Sequence, residues 1–262
     1  MAAKSFGDVD VSLGDDFVAI AEIRRPPDNF FDAALISSLA DAYSWLESEH
    51  SRAIVLCSEG KHFCAGADFT GRSGQARRIG GGGGARELYD EALRLFRAQV
   101  PVVAAVQGAA VGGGLGLACS ADFRVASRQS RFSANFARIG LHHGFALSAT
   151  LPAIVGQQRA TDLLYTGRRI GGEEAHRIGL ADRLAEPAKL RQAARALAAE
   201  IASAAPLAVR AIRGTMRAGL ADRARAAMDR ELSEQQQLWP TADFAEGVKA
   251  AAERRPGRFA GR

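Results

Sequence analysis

Two short stretches, Ala53 to Cys57 and Pro101 to Val106, are apolar without interruption. Half-buried strands alternate apolar and polar residues; short unbroken runs bounded by turn residues, such as Ser58-Glu59-Gly60-Lys61, read as fully buried strands. The neighbouring segments agree. Val9, Val11 and Leu13 alternate with polar residues, and Phe17 to Ile23 continues as a second strand after the Gly14-Asp15-Asp16 turn. Asp32 can cap a helix whose apolar face is Leu35, Ile36, Leu39, Tyr43 and Leu46, and Leu88, Ala92, Leu95 and Phe96 mark another. Asp122 to Ala126 is a further strand. Beyond residue 150 the pattern is almost purely helical, with starts near Gln157, Gly172, Pro187, Pro206, 220 and Asp243. The expectation is an α/β fold in one large unit, with no internal repeat and no linker. Gly71 to Gly84, which ends in five consecutive glycines, reads as a flexible loop within the fold.

Composition narrows the class. With 47% hydrophobic and 24% charged residues the chain is not disordered. The net charge of +5 is spread through the chain and comes with no nucleic-acid-binding signature, so a small anionic ligand fits it as well as a nucleic acid, and none of the latter is expected. Three cysteines cannot build a disulfide framework; Cys57 and Cys119 read as core residues of a protein in a reducing, cytoplasmic setting. The first ten residues hold no apolar signal region. The longest apolar stretch, Val100 to Cys119, contains Pro101, Gln107 and five glycines and makes a poor membrane span.

Two segments carry chemistry. One is His62-Phe63-Cys64-Ala65-Gly66-Ala67-Asp68-Phe69; the other is Pro101 to Gly108 followed by Ala109-Ala110-Val111-Gly112-Gly113-Gly114. Each runs a strand into small residues and a turn. Small residues let a ligand approach the backbone, and glycines opening a helix leave amide N–H groups free, with the positive end of the helix dipole behind them. Two such amides could converge on one oxygen that becomes negative, forming an oxyanion hole. The same segments read equally as tight turns chosen for packing.

These segments resemble the motifs of the crotonase (enoyl-CoA hydratase/isomerase) superfamily. The likeness extends to Arg25-Pro26-Pro27 with Asn29, to Asp122 and Gly140, and to Leu164-Tyr165-Thr166-Gly167 with Ala175 and Gly179-Leu180-Ala181. It ends at Glu246-Gly247 and Glu253-Arg254-Arg255-Pro256 with Phe259, so it runs nearly end to end. The resemblance implies a spiral of β-β-α turns over residues 1–200 and a C-terminal helical trimerisation region over 201–262, assembled as a homotrimer or a dimer of trimers. It implies an acyl-CoA thioester as substrate and no separate cofactor, coenzyme A being part of the substrate. The N–H groups of Ala67 and Gly113 would bind the thioester oxygen. Asp28, Ala65 and the segment Ala67, Asp68, Phe69 and Thr70 would lie along the substrate, with Gly112 beside it. Arg254 would reach the nucleotide phosphates, and residues 71–84 would lie beside the acyl end.

The resemblance also exposes a departure. Family hydratases add water with two carboxylates. The positions that match them here are Gly116 and Phe136, which can neither take nor give a proton. Phe136 is expected to close an apolar acyl pocket with Phe30, Phe31 and Phe69. Gly140-Leu141-His142-His143-Gly144 offers a replacement, because other branches of the superfamily place a catalytic acid in this loop and histidine titrates near neutrality. His143 is the candidate acid/base ahead of His142; His62 reads as surface. The expected function is a crotonase-type enzyme of lyase or isomerase chemistry with a non-standard acid/base; the alternative is a non-catalytic acyl-CoA-binding protein. No Gly-x-Ser-x-Gly elbow occurs, a dinucleotide fingerprint arises only inside the glycine run, and no metal site is expected.

Overall fold

The computed structural model describes residues 2–69 and 84–262. The reading of residues 71–83 as a flexible loop and the assignment of Thr70 lie outside them. In chain order the strands are β1 (Ala2–Phe6), β2 (Val9–Leu13), β3 (Val18–Ile23), β4 (Ala53–Ser58), β5 (Val102–Val106), β6 (Ala109–Val111), β7 (Phe123–Ser127), β8 (Arg131–Ser133), β9 (Arg169–Gly171) and β10 (Arg183–Ala185). The helices are α1 (Ala33–Ser48), α2 (Gly84–Arg97), α3 (Gly113–Ser120), α4 (Leu147–Val155), α5 (Gln157–Thr166), α6 (Gly172–Arg177), α7 (Leu190–Ala202), α8 (Pro206–Met216), α9 (Leu220–Leu238) and α10 (Ala242–Glu253).

The larger sheet has the order β1-β2-β3-β4-β5-β7-β10, antiparallel through β3 and parallel from β3 onward. The unbroken apolar runs have a direct cause. In β4, Ile54 and Leu56 point into the main core with α1, while Ala53, Val55 and Cys57 point to the other face, where Leu190, Ala194 and Leu197 of α7 cover them. Successive side chains alternate between faces, and here both faces are covered.

A smaller sheet, β6-β8-β9, stands beside the first. The chain visits both sheets in turn: β5 enters the large sheet, β6 the small one, and α3 follows; β7 and β8 repeat the move and end in the 3-10 turn Asn135–Ile139. After β4 the chain touches the small sheet at the Cys64–Ala110 bridge. This is the crotonase-type spiral of β-β-α turns. Its consequence is functional, because each pass ends one short strand of the small sheet beside the next.

Helix α1 begins where its cap predicts: the Asp32 carboxylate accepts the Leu35 N–H at 2.9 Å. The C-terminal helices pack onto the core. Helix α9 lies on α2 and α4, and α8 is tied to the sheet by Asp122, whose carboxylate takes Arg213 at 3.0 Å, Arg217 at 3.1 Å and the Val102 N–H at 2.8 Å. Among the described residues no helix is long and apolar enough to cross a membrane.

Candidate active site

The site is built where two neighbouring passes end. Cys64 pairs with β6: its N–H donates to Ala109 O and its carbonyl accepts the Val111 N–H, both at 3.0 Å. Three residues beyond Cys64, and three beyond its bridge partner Ala110, lie the expected donors, Ala67 and Gly113. Gly66 must be glycine on two counts. Its φ is +85°, and a Cβ there would lie 2.7 Å from Val111 O. That same position is 3.6 Å from the Gly113 nitrogen, so a side chain at Gly66 would press against the start of α3. Among the described residues neither the Ala67 nor the Gly113 amide donates to a protein acceptor. Gly113 opens α3, so its N–H is one of the four that a helix start leaves without an intrahelical partner.

The Arg25-Pro26-Pro27-Asp28-Asn29 turn holds the first of these segments in place. Buried Asn29 donates through Nδ2 to Glu59 O at 2.8 Å and His62 O at 2.6 Å. Asp28 O accepts the Ala65 N–H at 2.9 Å, and Phe31 N–H donates to Gly66 O at 3.0 Å.

Both segments open on a cleft of about 230 Å³. Ala65, Ala67, Asp68 and Phe69 line it from one side, Gly112, Gly113 and Phe136 from another, and Arg254, the left-handed C-cap of α10, from a third. Phe30 and Phe31 line it as expected, with the Phe31 ring lying directly against Gly113. Asp28 is not among the lining residues: its carboxylate faces the His62 ring at 3.9 Å. His62 itself is not the surface residue the sequence suggested. The β5–β6 turn at Gly108 presses against Lys61 and His62, so the ring is largely covered and its Nδ1 accepts the Ala109 N–H at 3.2 Å. Burial first, against an opposing pull from Asp28, draws its pKa down.

His143 lies one residue beyond the lining. Gly144 borders the cleft, whereas the His143 ring stacks on His142 with centroids 4.1 Å apart and meets Ser148 Oγ through Nε2 at 2.8 Å. Burial, reinforced by the neighbouring His142, pushes its pKa down to about 4.

Other wall residues were missed in the sequence. Tyr89 comes from α2, Phe145 from the loop before α4, Gln235 from α9 and Trp239 from the C-cap of α9. The cleft thus takes part of its wall from residues 201–262. A signal existed for α9: Ala224, Met228, Glu231 and Gln235 share its buried stripe, and two polar residues on such a stripe need partners. Tyr89 O–H donates to Gln235 Oε1 at 3.1 Å, and Gln235 Nε2 donates to His142 O at 3.1 Å. Burial raises the Tyr89 pKa, so the hydroxyl keeps its proton. Among the described lining residues the ionisable side chains are Asp68, Tyr89 and Arg254. Within the described residues no group of three or more His, Cys, Asp or Glu side chains is placed to hold a metal ion.

A spiral of β-β-α turns, with an aromatic cleft entered by the free ends of two small-residue segments, defines an α/β protein of the crotonase fold. The family model for enoyl-CoA hydratase/isomerase matches residues 15–262. A Rhodobacter capsulatus relative, named a probable enoyl-CoA hydratase, is 35% identical over 94% of this chain and 95% of its own length. The crotonyl-CoA hydratase of Syntrophomonas wolfei is 31% identical over 92% of this chain and 94% of its own. The crystal structure of an enoyl-CoA hydratase/isomerase from Pseudoalteromonas atlantica superposes with a TM-score of 0.84 at 31% identity, covering 97% of this chain and all of that one. The chain belongs to the enoyl-CoA hydratase/isomerase family of the crotonase superfamily.

Proposed function

We propose that this protein is an enzyme acting on an acyl-CoA thioester, with the thioester oxygen accepted by the Ala67 and Gly113 amides and the acyl group lodged among Phe31, Phe136 and Phe145. The observation that carries the reading is the meeting, at the edge of an aromatic cleft, of two main-chain segments whose Ala67 and Gly113 amides donate to no protein acceptor among the described residues. As the thioester gains enolate character its oxygen becomes negative, and donors already in place stabilise that charge without reorganisation; each is worth about 10²–10³ in rate. Coenzyme A arrives as part of the substrate, with Arg254 at the cleft edge as the cation for its phosphates.

The proton carrier in this reading is His143. It is neutral at physiological pH, so it acts first as a base, and Ser148 and Glu231 lie behind it in a hydrogen-bonded line. Two-carboxylate water addition is not the reaction proposed, because Gly116 and Phe136 stand at the matching positions. We propose that the exposed apolar side chains of α8, Leu207, Ile212 and Met216, are covered when the chain trimerises.

One observation favours a second reading, a non-catalytic acyl-CoA-binding protein: Asp68, Tyr89 and Arg254 are the ionisable side chains among the described lining residues, and His143 stands behind Gly144. Incubating the protein and His143→Ala with a panel of acyl-CoAs separates the two. Turnover that disappears in His143→Ala supports the enzyme with His143 as carrier. Turnover that survives in the variant removes His143 from the mechanism, and tight binding without turnover of any member supports the binding protein.

A further inference from the structure

Two consecutive non-glycine residues, Phe145 (φ 60°) and Ala146 (φ 58°), adopt left-handed backbone just before α4. Side-chain-bearing residues hold such a conformation only where the surroundings over-determine it. The restraint comes from α9. Glu231, fully buried, accepts the Ala146 N–H at 2.9 Å on Oε2, and the Ser148 N–H at 2.8 Å and the Ser148 hydroxyl at 2.7 Å on Oε1. Helix α4 has no capping side chain of its own, so a carboxylate from a helix remote in sequence does that work. One turn further along α9, Gln235 donates to the carbonyls of His142 at 3.1 Å and His143 at 3.4 Å. Helix α9 therefore grips both ends of the segment 142–148.

Between the two grips stands Phe145. Its ring lines the cleft, sits 5.4 Å from the Phe31 ring at a 52° tilt, and fills the space beside Gly116. Phe31 in turn lies against Gly113, the proposed oxyanion donor. Chain termination of the acyl pocket and placement of the thioester are thus joined through two rings.

We infer that Glu231 is a positioning residue that fixes the wall made by Phe145, and through that wall limits the length of acyl chain the cleft accepts. The inference rests on the reading of the cleft as an acyl-CoA site. The test is equilibrium binding of saturated acyl-CoAs, butanoyl through dodecanoyl, to the wild type, Phe145→Ala, Glu231→Gln and Ser148→Ala. Phe145→Ala opens the wall and raises the affinity for dodecanoyl relative to butanoyl by at least about tenfold, the scale set by a single methylene in an apolar pocket. Glu231→Gln places an amide N–H against main-chain donors and shifts the ratio in the same direction; Ser148→Ala removes one of the three donors and gives a smaller shift of the same sign. Should Glu231→Gln not fold, Ser148→Ala carries the test. Glu231→Gln, or in its place Ser148→Ala, that binds every chain length with the wild-type ratio, or weakens all of them equally, overturns the inference while leaving the acyl-CoA reading intact. Failure of all four proteins to bind any acyl-CoA overturns both.

Discussion

Phe145 occupies the space that a side chain at Gly116 would need: a Cβ there would lie 2.5 Å from Phe145 Cβ and 3.0 Å from two of its ring carbons. An aromatic side chain from the loop before α4 and a glycine within α3 have thus become one packing unit. Gly116→Ala gains up to about 1 kcal/mol of helix propensity but drives a methyl into a filled wall, which costs about 1–3 kcal/mol. The expected outcome is net destabilisation of the folded protein, read as a lower urea midpoint at unchanged slope. A more stable Gly116→Ala would show that the wall yields.

Asp122 is the second junction. Its carboxylate is 13% exposed and faces Arg213 and Arg217, at 9% and 14%, while also accepting a sheet N–H. Asp122→Ala leaves two largely covered cations without their partner, a loss of roughly 3–5 kcal/mol for buried pairs. Chemical denaturation should show this, with α8 released first in hydrogen exchange. Uniform exchange across the chain would contradict the role given to Asp122.

The pH dependence follows from His143. The unfolded chain takes up this proton near pH 6.5 and the folded protein near 4. In that window the unfolded state binds more protons, so stability falls as pH falls from about 6.5, and the loss is complete below about 4. Glu231 works the other way: burial raises its pKa, so its contribution is present at low pH and is lost as pH rises through the folded value. Unfolding free energies of wild type and His143→Gln should therefore diverge between about pH 6.5 and 4, with the variant losing less. Parallel curves would contradict the burial of His143.

The exposed apolar side chains of α8 predict an assembly. Leu207, Ile212 and Met216 are 78%, 63% and 79% exposed in the single chain. Light scattering should report a trimer or a hexamer for the wild type and smaller species for Leu207→Asp with Met216→Glu. A wild type that is monomeric at micromolar concentration would contradict the assembly.

How far the sequence carries depends on the length over which a pattern can repeat. Strands β2 to β5 and β7, and helix α1 with its Asp32 cap, follow from alternation, unbroken apolar runs and capping. The three-residue strands β6, β8, β9 and β10 are too short to show any period, and α4 is masked by Pro152 within it and by its left-handed start at Ala146. The same contrast holds at the site. Backbone donors are legible because close approach demands glycine and alanine in a recognisable run, as at Gly66 and Gly112-Gly113-Gly114. Tyr89, Phe145 and Gln235 are not, because an ordinary residue on α2 or α9 becomes a wall only once the helices are packed. His143 shows the limit from the other side: its loop is legible, but the ring's contact with Ser148 and its stacking on His142 are not.

The most direct test of the central claim is isotope-edited infrared spectroscopy of an acyl-CoA carrying ¹³C at the thioester carbonyl, bound to the protein at saturation. Two main-chain donors converging on that oxygen predict a carbonyl band at lower frequency than in free thioester, and a return toward the free position in Ala67→Pro, which lacks one N–H. A bound thioester whose band stays where it is in water, in wild type and variant alike, would contradict the account.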